Sequence, residues 1–387
     1  MTPILLRLRE FIYSDLGRIF IIAIAWQTVM SVVGFIIFDG GDMLSHMTRW
    51  DGGWYSVIIQ DRYISNDASA AFYPLFPMLV ELLHTITFGL FSLPLSALLI
   101  NTVSLWLGLY ALLQITVIFT GSRARYLAVI LFLCAPAAFF CHLFYTEALF
   151  IAIAFWAYLF SLRKQWLLCC LLLAALTACR LPALLFIGLC GLEYIKSYRW
   201  NIKRALNKNM LLFSLTPIGF ICYGLYLYIA KGDFLDMFHA YSATTDWAYQ
   251  VFHPNFIETI ARGAYQVLRA VAGLRPFDHD ILVNHLIPIL CIVTLFTSSL
   301  YCIFSIKKKG LPLGIFGLVS IAFFTINHNL VSVHRYALPC ITVVITLVHI
   351  YMRFRKLRPF IIIGSAISLT IQCYLLYLYL ATITFAG

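Results

Sequence analysis

Long apolar segments separated by short basic clusters run through the whole sequence. Several of them hold roughly 17–25 residues, enough for a helix to cross the roughly 30 Å hydrocarbon core of a bilayer. The pattern predicts an all-α, polytopic membrane protein with about 11 membrane helices in a single domain, residues 1–387. The predicted spans with one continuous apolar run are Gly17–Phe38, Leu93–Phe119, Leu127–Phe144, Ala148–Leu162, Met210–Ala230, Leu282–Ile306, Leu311–Ile326, Ala337–Tyr351 and Pro359–Thr382.

The apolar segment Trp166–Tyr194 is too long for one untilted span, and Cys179-Arg180-Leu181-Pro182 interrupts it. Lys and Arg residues in short loops stay on the cytoplasmic side. Placing both Arg163-Lys164 and the basic cluster Lys196–Lys208 there requires an even number of crossings between them. We therefore predict two short helices or a re-entrant pair, with Arg180 near the outer leaflet. The N-terminus is then cytoplasmic, and two structured outer loops cover about residues 39–93 and 231–281.

Composition agrees with a membrane protein, since 62% of residues are apolar, 11% are charged and the mean hydropathy is +0.91. Average soluble domains carry about 25% charged residues. The formal net charge of +11 is explained by basic cytoplasmic loops and does not indicate a nucleic-acid partner. None of the asparagines lies in an Asn-x-Ser/Thr sequon, which favours a prokaryotic host and a bacterial inner membrane. In a eukaryote, we would expect the endoplasmic reticulum.

Cysteines and metal-ligand residues do not form a recognisable site. The 11 cysteines show no C-x-x-C spacing and most lie inside apolar runs, so they are interpreted as small hydrophobic residues. Asp278-His279-Asp280 contains metal-ligand residue types, but three adjacent side chains cannot face one ion without a turn. No Walker loop, glycine-rich nucleotide motif or nucleophile elbow is present. We predict no cofactor and no metal ligands, and leave a divalent metal open.

The outer loops hold most of the candidate chemistry. Arg49-Trp50-Asp51 begins an aromatic segment that follows Asp39-Gly40-Gly41-Asp42. A carboxylate held beside aromatic rings at the interface is partly desolvated, which raises its pKa and suits it to act as a general base. The alternative is an interfacial aromatic belt with solvated acids, which composition alone favours. Tyr73 lies in the segment Ala71–Pro77, whose two prolines predict a turn before an interfacial helix.

Three ionisable residues lie inside or at the rim of apolar segments: Glu147, Arg180 and Arg335. A charge at mid-bilayer costs about 2.5–3.5 kcal/mol on insertion scales, so such residues are generally paired or functional. One interpretation of these residues is a structural Glu–Arg pair between helices. Because the arginine fork grips phosphate oxygens at two points, a lipid-phosphate substrate or a transported anion would also explain both arginines.

The order of these motifs resembles the PIG-V family, which contains the second mannosyltransferase of glycosylphosphatidylinositol assembly and bacterial relatives. The similarity is best between about Arg49 and Leu185. The residues that carry it are Trp50-Asp51, Tyr63, Ala71-Phe72-Tyr73-Pro74-Leu75-Phe76-Pro77, Pro136, Phe139-Phe140, Tyr145-Thr146-Glu147-Ala148-Leu149-Phe150, Thr177 and Arg180. Two features depart from the family pattern: Ala178-Cys179 separates Thr177 from Arg180, and Gly52-Gly53-Trp54 stands where eukaryotic members have a histidine after the aspartate.

The resemblance implies a GT-C type glycosyltransferase that transfers a hexose, most often mannose, from a polyprenyl-phosphate donor to a lipid-linked or glycan acceptor on the extracytoplasmic face. It makes Asp51 the candidate base. The candidate substrate-binding residues are Arg49, Trp50, Tyr73, Tyr145, Glu147, Arg180, His334, Arg335 and Tyr336. Membrane lipid is an expected partner, and the need for a partner subunit stays open. The alternative is a secondary transporter or flippase for an anionic or lipid-linked sugar, with Glu147 and Arg180 in a midplane site.

Overall fold

The computed structural model of the chain describes residues 9–37, 43–64, 67–241 and 252–381. These ranges are built from helices and turns, without a strand, and contain an isolated β-bridge between Phe252 and Asn327. The all-α prediction is therefore confirmed. The longer helices are α1 (Asp15–Ile37), α2 (Asp51–Asp61), α3 (Leu75–Ile86), α4 (Leu93–Thr120), α5 (Arg125–Leu133), α6 (Glu147–Leu162), α7 (Trp166–Thr177), α8 (Ala183–Ser197), α9 (Ile218–Lys231), α10 (Phe256–Val271), α11 (Ile287–Tyr301), α12 (Leu311–Thr325), α13 (Ile341–Arg353) and α14 (Arg358–Leu380).

Single helical turns and short 3-10 or π segments connect these helices. They are Met43–His46, Asp67–Ala71, Ser122–Ala124, Ala138–Cys141, Ile202–Ala205, Met210–Leu215, Asp236–His239, Ile281–Leu286, Cys302–Ile306, Lys307–Lys309, Val333–Tyr336 and Arg355–Leu357. Proline in the first turn begins several long helices, because its missing N–H has no intrahelical partner there. Pro94, Pro288, Pro312 and Pro359 are the second residues of α4, α11, α12 and α14 respectively.

The described residues include five helical stretches long and apolar enough to cross a membrane. They are Asp15–Ile37, Leu93–Thr120, Met210–Lys231, Ile281–Lys309 and Arg355–Leu380. Five shorter apolar helices accompany them: Leu75–Ile86, Glu147–Leu162, Trp166–Thr177, Leu311–Thr325 and Ile341–Arg353. The architecture is therefore compatible with an α-helical membrane protein. The number of complete crossings stays a prediction.

The helix boundaries confirm the break in Trp166–Tyr194 and shorten two predicted spans. Helix α7 ends at Thr177 and α8 begins at Ala183, so this segment folds as two helices. The predicted span Leu127–Phe144 is only partly helical, since α5 ends at Leu133, shortly before Pro136. Proline disfavours a helical conformation in the residue before it. For the same reason α13 begins at Ile341, after Pro339, and not at Ala337.

Helix α4 lies at the centre of the packing, in contact with α1, α3, α5, α6 and α13. Its contact with α6 is close because Gly108 has no side chain: a Cβ there would lie 3.3 Å from the Cα of Ala152. Small residues at helix contacts let backbones approach in this way. One continuous apolar core surrounds α4, and a small separate cluster forms around Trp166, Tyr194 and Ala205.

Both predicted outer loops contain helices where the structure describes them. The first contains α2, the 3-10 turn Asp67–Ala71 and α3, and the second contains the turn Asp236–His239 and α10. The segment Asp39-Gly40-Gly41-Asp42 lies outside the described residues.

Gly219 at the beginning of α9 permits a tight contact with α7. A Cβ on Gly219 would overlap the carbonyl oxygen of Ala174 and lie 2.7 Å from the backbone nitrogen of Ala178. These obstructing atoms belong to the backbone and cannot rotate away. The contact therefore fixes α9 against the end of α7, just before the helix break.

We expect Gly219→Ala to lower the free energy of unfolding by about 1–3 kcal/mol, the usual cost of overpacking. Gly364→Ala in α14 is the matched control, because a Cβ there meets no atom within 4 Å and alanine favours a helix by about 0.5–1 kcal/mol. Thermal unfolding of both purified variants in detergent measures the difference. Equal midpoints for the two variants would contradict the close contact.

Candidate functional site

Four charged side chains from distant parts of the chain meet in one cluster. The Nη1 atom of Arg335 lies 2.6 Å from Oδ2 of Asp51, and its Nε atom lies 2.6 Å from Oε1 of Glu147. Arg180 also forms an ion pair with Oε1 of Glu147. Glu147 thus bridges both arginines, and Arg335 bridges both carboxylates. We call these residues the charge cluster.

The charge cluster is buried and balanced. The exposed fractions of the side chains are 8% for Asp51, 1% for Glu147, 12% for Arg180 and 4% for Arg335. Two carboxylates and two guanidinium groups give a formal charge of zero. Removing one partner from such a buried set leaves an uncompensated charge, which typically costs about 3–5 kcal/mol.

Aromatic rings surround the two guanidinium groups. The ring of Tyr336 lies against both, with its centroid 5.3 Å from Cζ of Arg180 and 5.6 Å from Cζ of Arg335. Arg335 also contacts the rings of Tyr145, at 5.0 Å, and Phe140, at 5.4 Å. A desolvated cation over an aromatic face gains about 2 kcal/mol or more. These rings hold the arginines in place while leaving their N–H groups for anions.

Asp51 reaches the cluster because the backbone on either side of it packs tightly. Asp51 is the first residue of α2, and Trp50 before it has a positive φ of 54°. At Gly52 a Cβ would lie 2.9 Å from the carbonyl oxygen of Met47 and 3.3 Å from that of Phe144. Glycine at position 52 therefore lets α2 begin directly against the segment that leads to Glu147.

Arg180 lies in the break between α7 and α8, close to the turn that begins α3. The backbone N–H of Leu75 donates to the carbonyl of Ala178 over 3.1 Å. Pro74 and Pro182 are the residues directly before α3 and α8, where a missing backbone N–H costs no intrahelical hydrogen bond. The proline motif predicted as a turn is thus part of the framework around Arg180.

Arg335 is carried by the single helical turn Val333–Tyr336. Ser332 caps this turn in the left-handed conformation, with φ 64°, and is buried. The backbone N–H of Arg335 donates to the carbonyl of Ser332 over 2.9 Å. A non-glycine residue in this conformation is uncommon and is found most often where surrounding structure requires it.

A cavity of about 490 Å³ lies beside the charge cluster. Asp51, Arg180, Arg335 and Tyr336 form a polar part of its wall. Apolar and aromatic side chains form much of the rest: Ala71, Phe72, Leu181, Pro182, Phe238, Phe252, Phe323, Phe324 and Ile326. Its volume lies within the range of ligand pockets, about 300–1,000 Å³. The cavity suits a ligand with one anionic part and one apolar part.

The predicted site residues divide into two groups around this cavity. Asp51, Tyr73, Arg180, Arg335 and Tyr336 line it. The remaining predicted residues are not among its lining residues: Arg49, Trp50, Tyr145, Glu147 and His334. Glu147 and Tyr145 lie behind the wall, where both contact Arg335. They can orient the arginine without touching a ligand in the cavity.

Arg49 contacts the end of α14. Its Nη1 atom donates to the carbonyl of Leu380, and Tyr379 donates from its hydroxyl to the carbonyl of Arg49 over 2.8 Å. A cation is favourable at a helix C-terminus because of the helix dipole. His334 is buried next to Arg335 in the chain, and Trp50 is exposed.

Several lining residues were not predicted from the sequence. They include Tyr55, Tyr241, Asn327, Ser332 and the aromatic residues of the apolar part. With 32 phenylalanines and 22 tyrosines in the chain, aromatic identity alone does not distinguish a cavity wall from a lipid-facing surface. Asn327-His328-Asn329, a polar interruption after an apolar run, was the available signal for the loop that contributes Asn327 and Ser332.

Burial raises the pKa of Asp51 above that of an ordinary aspartate, and the ion pair with Arg335 opposes this increase. Glu147, which shares Arg335, also raises the pKa of Asp51. A carboxylate with a raised pKa accepts a proton more readily than an exposed one, which is a property required of a general base.

No group of three His, Cys, Asp or Glu side chains could hold a metal ion in the part of the chain that the structure describes. In the sequence Asp278-His279-Asp280, the side chains have separate partners. Asp278 accepts from the backbone of Ile281, His279 contacts Tyr374, and Asp280 pairs with Arg275.

Comparison with known proteins adds no assignment: no protein-family model matches the chain, and no curated protein matches it at a significant level.

Removal of Glu147 tests the charge cluster. We expect Glu147→Gln to lower the free energy of unfolding by about 3–5 kcal/mol, because both arginines lose a buried partner. Glu81→Gln is the matched control, since Glu81 pairs with Arg62 at exposed fractions of 25% and 51% and exposed pairs contribute at most about 1 kcal/mol. Thermal unfolding in detergent compares them, and an equally small effect at both sites would contradict a buried, shared carboxylate.

Proposed function

We propose that this protein is a membrane glycosyltransferase of GT-C type. It transfers a hexose, which we assign as mannose, from a polyprenyl-phosphate donor to a hydroxyl of a lipid-linked or glycan acceptor, with inversion at the anomeric carbon. The motifs around Trp50-Asp51 and Tyr145-Thr146-Glu147, which resemble those of the PIG-V family, support this function.

The composition of one cavity wall is the main structural support for this function. A carboxylate, Asp51, and two guanidinium groups, of Arg180 and Arg335, line the same cavity as a set of aromatic and aliphatic side chains. A polyprenyl-phosphate sugar contains three chemical groups that match this wall: a sugar, a phosphodiester anion and an apolar chain. Arginine suits the phosphate because its planar fork binds two oxygens at once.

The reaction is a single displacement. The acceptor oxygen attacks the anomeric carbon and the bond from that carbon to the phosphate oxygen breaks, with its electron pair going to the phosphate. The proton of the acceptor hydroxyl goes to Asp51. The phosphodiester monoanion thereby becomes a phosphomonoester dianion. Because phosphate is already a competent leaving group, the protein supplies cations and needs no general acid.

Arg335 couples the two ends of this displacement. It pairs with Asp51 in the resting site, at 2.6 Å. When Asp51 takes up the proton and becomes neutral, that ion pair loses its attraction just as the leaving phosphate gains a negative charge. The total charge of cluster and substrate stays constant, and the Nη1 group of Arg335 is released from Asp51 for the phosphate while its Nε stays on Glu147. Glu147 keeps hold of both arginines throughout.

The proposed membrane topology follows from the positions of the basic residues. We propose about 11 membrane segments, a cytoplasmic N-terminus and a site on the extracytoplasmic side, following the distribution of basic residues. A bacterial inner membrane, or the endoplasmic reticulum in a eukaryote, is the corresponding location. The long and shorter apolar helices of the fold are compatible with this arrangement.

We expect Asp51→Asn to remove transfer and to lower the unfolding midpoint less than Glu147→Gln does, because Arg335 retains its second partner Glu147; thermal unfolding in detergent checks that the variant is folded under the assay conditions. The assay measures transfer from radiolabelled polyprenyl-phosphate mannose to a lipid extract in detergent, with and without EDTA. Loss of the base should lower the rate by at least about 10²-fold. Asp233→Asn, at an exposed position outside the cavity wall, is the control and should retain wild-type activity.

Full activity in Asp51→Asn would overturn the assignment of the base. Donor binding without any product from the wild type, together with movement of donor across proteoliposomes, would favour the flippase instead. Loss of activity with EDTA would add a metal to the reaction.

The pH profile provides an independent check. Asp51 must be deprotonated to accept a proton, so kcat/KM should fall as pH decreases through its pKa. Because burial raises that pKa, the acid limb should lie above the ordinary aspartate value of about 3.9. Transfer measured across a pH series should give the same acid limb of kcat/KM for wild type and for Asp233→Asn. A rate that stays constant down to the ordinary value would contradict a desolvated base.

A further inference from the structure

Helix α10 divides into three sectors around its axis. Residues that project into one third of the circumference, at about 100° per residue, are apolar and mostly exposed: Ile257, Ala261, Ala264, Tyr265, Leu268 and Val271. We call this the apolar sector. The next third is polar, with Glu258, Arg262, Gln266 and Arg269. The last third, which we call the packing sector, contains the buried residues Thr259, Gly263 and Ala270.

The packing sector is already occupied by the protein itself. Thr259 donates from its hydroxyl to the carbonyl of Asn327 over 2.6 Å. A Cβ at Gly263 would overlap the side chain of Leu330, which is buried. Interior contacts therefore do not explain the apolar sector, where Ile257 and Leu268 are each 65% exposed and Val271 is 74% exposed.

The depth of α10 is fixed by its contact with a candidate membrane span. It packs against Ile281–Leu286, the first turns of the apolar stretch Ile281–Lys309. Arg275 connects the two by donating to Gln266 on the polar sector, over 3.0 Å, and to Asp280, over 2.8 Å. The helix therefore lies at the level where this span begins, with its rotation about its own axis fixed.

From these contacts we infer that the apolar sector of α10 lies in the acyl region of the leaflet on the cavity side, as a lipid-binding interfacial helix. Further exposed apolar side chains follow in the chain, at Leu274 and Phe277 after α10 and at Leu290, Val293 and Phe296 on the span. On the polar sector, Arg269 stands next to the apolar sector and lies over the ring of Tyr265 at 5.9 Å, whereas Arg262 lies at the middle of the polar sector, farther from the apolar edge. Arginine and tyrosine at the edge of an apolar face are typical of contact with lipid headgroups.

A bilayer explains this arrangement better than a protein partner does. The chain runs from α10 directly into an apolar stretch long enough to span a membrane, and Arg269 lies at the edge of the apolar sector, where lipid phosphate groups would be. The packing sector holds the loop that contributes Asn327 and Ser332 to the cavity. Contact with lipid at α10 thus supports a wall of the cavity, whichever reaction takes place there.

Site-specific photo-crosslinking tests the inference. A benzophenone amino acid replaces Leu268 or Ile257 in the full chain, reconstituted in vesicles of phosphatidylethanolamine and phosphatidylglycerol. Phe296 in the span is the positive control, and Arg262 on the polar sector, 49% exposed, is the negative control. All four positions are exposed, so the probe does not disturb the interior. After irradiation, mass spectrometry measures the fraction of chain that carries a phospholipid.

We expect lipid adducts at positions 268 and 257 at levels comparable to position 296 and at least fivefold above position 262. Adducts between two protein chains at position 268 would overturn the inference in favour of a protein interface. A lipid yield at 268 and 257 no higher than at 262 would overturn it in favour of a water-exposed helix. Both readouts are independent of transferase activity and so are separate from the proposed function.

Discussion

Sharing of Arg335 between Asp51 and Glu147 is the interaction on which the rest of the structure depends. These charges are buried among apolar helices, where an unpaired charge is costly. Each element that carries one of them must therefore adopt a conformation that brings it to the others. The glycine after Asp51, the break between α7 and α8, and the left-handed Ser332 are all local irregularities that serve this requirement.

The sequence was most informative where a residue is energetically costly. Glu147, Arg180 and Arg335 were predicted as paired or functional because they interrupt apolar runs, and the structure brings them together. The break at Arg180 followed from charge placement. The cavity wall was less predictable, because its aromatic residues resemble those that face lipid. Arg49 contacts Leu380, which is far away in the chain, and no local sequence pattern reveals such a contact; its role in substrate binding stays a prediction.

The charge cluster and the apolar cavity wall together define an amphiphilic site. Either part alone has a simpler explanation, since buried ion pairs and apolar pockets are both common. Their adjacency matters because a ligand that fills the apolar part brings its polar group to the arginines. Glu147 and Tyr145 contact Arg335 from behind the wall, so they limit the directions in which its guanidinium group can turn. Orientation of the cation is thus established before any ligand binds.

The order of the charged residues along the chain has a consequence for biosynthesis. Asp51, Glu147 and Arg180 are translated first, and they carry one more negative than positive charge. Arg335 comes from a segment made much later, after α12. Until it is inserted, Asp51 has no cluster arginine bound to it and the nascent bundle must keep this carboxylate hydrated or protonated. The complete cluster can therefore form only after the turn Val333–Tyr336 has been synthesised.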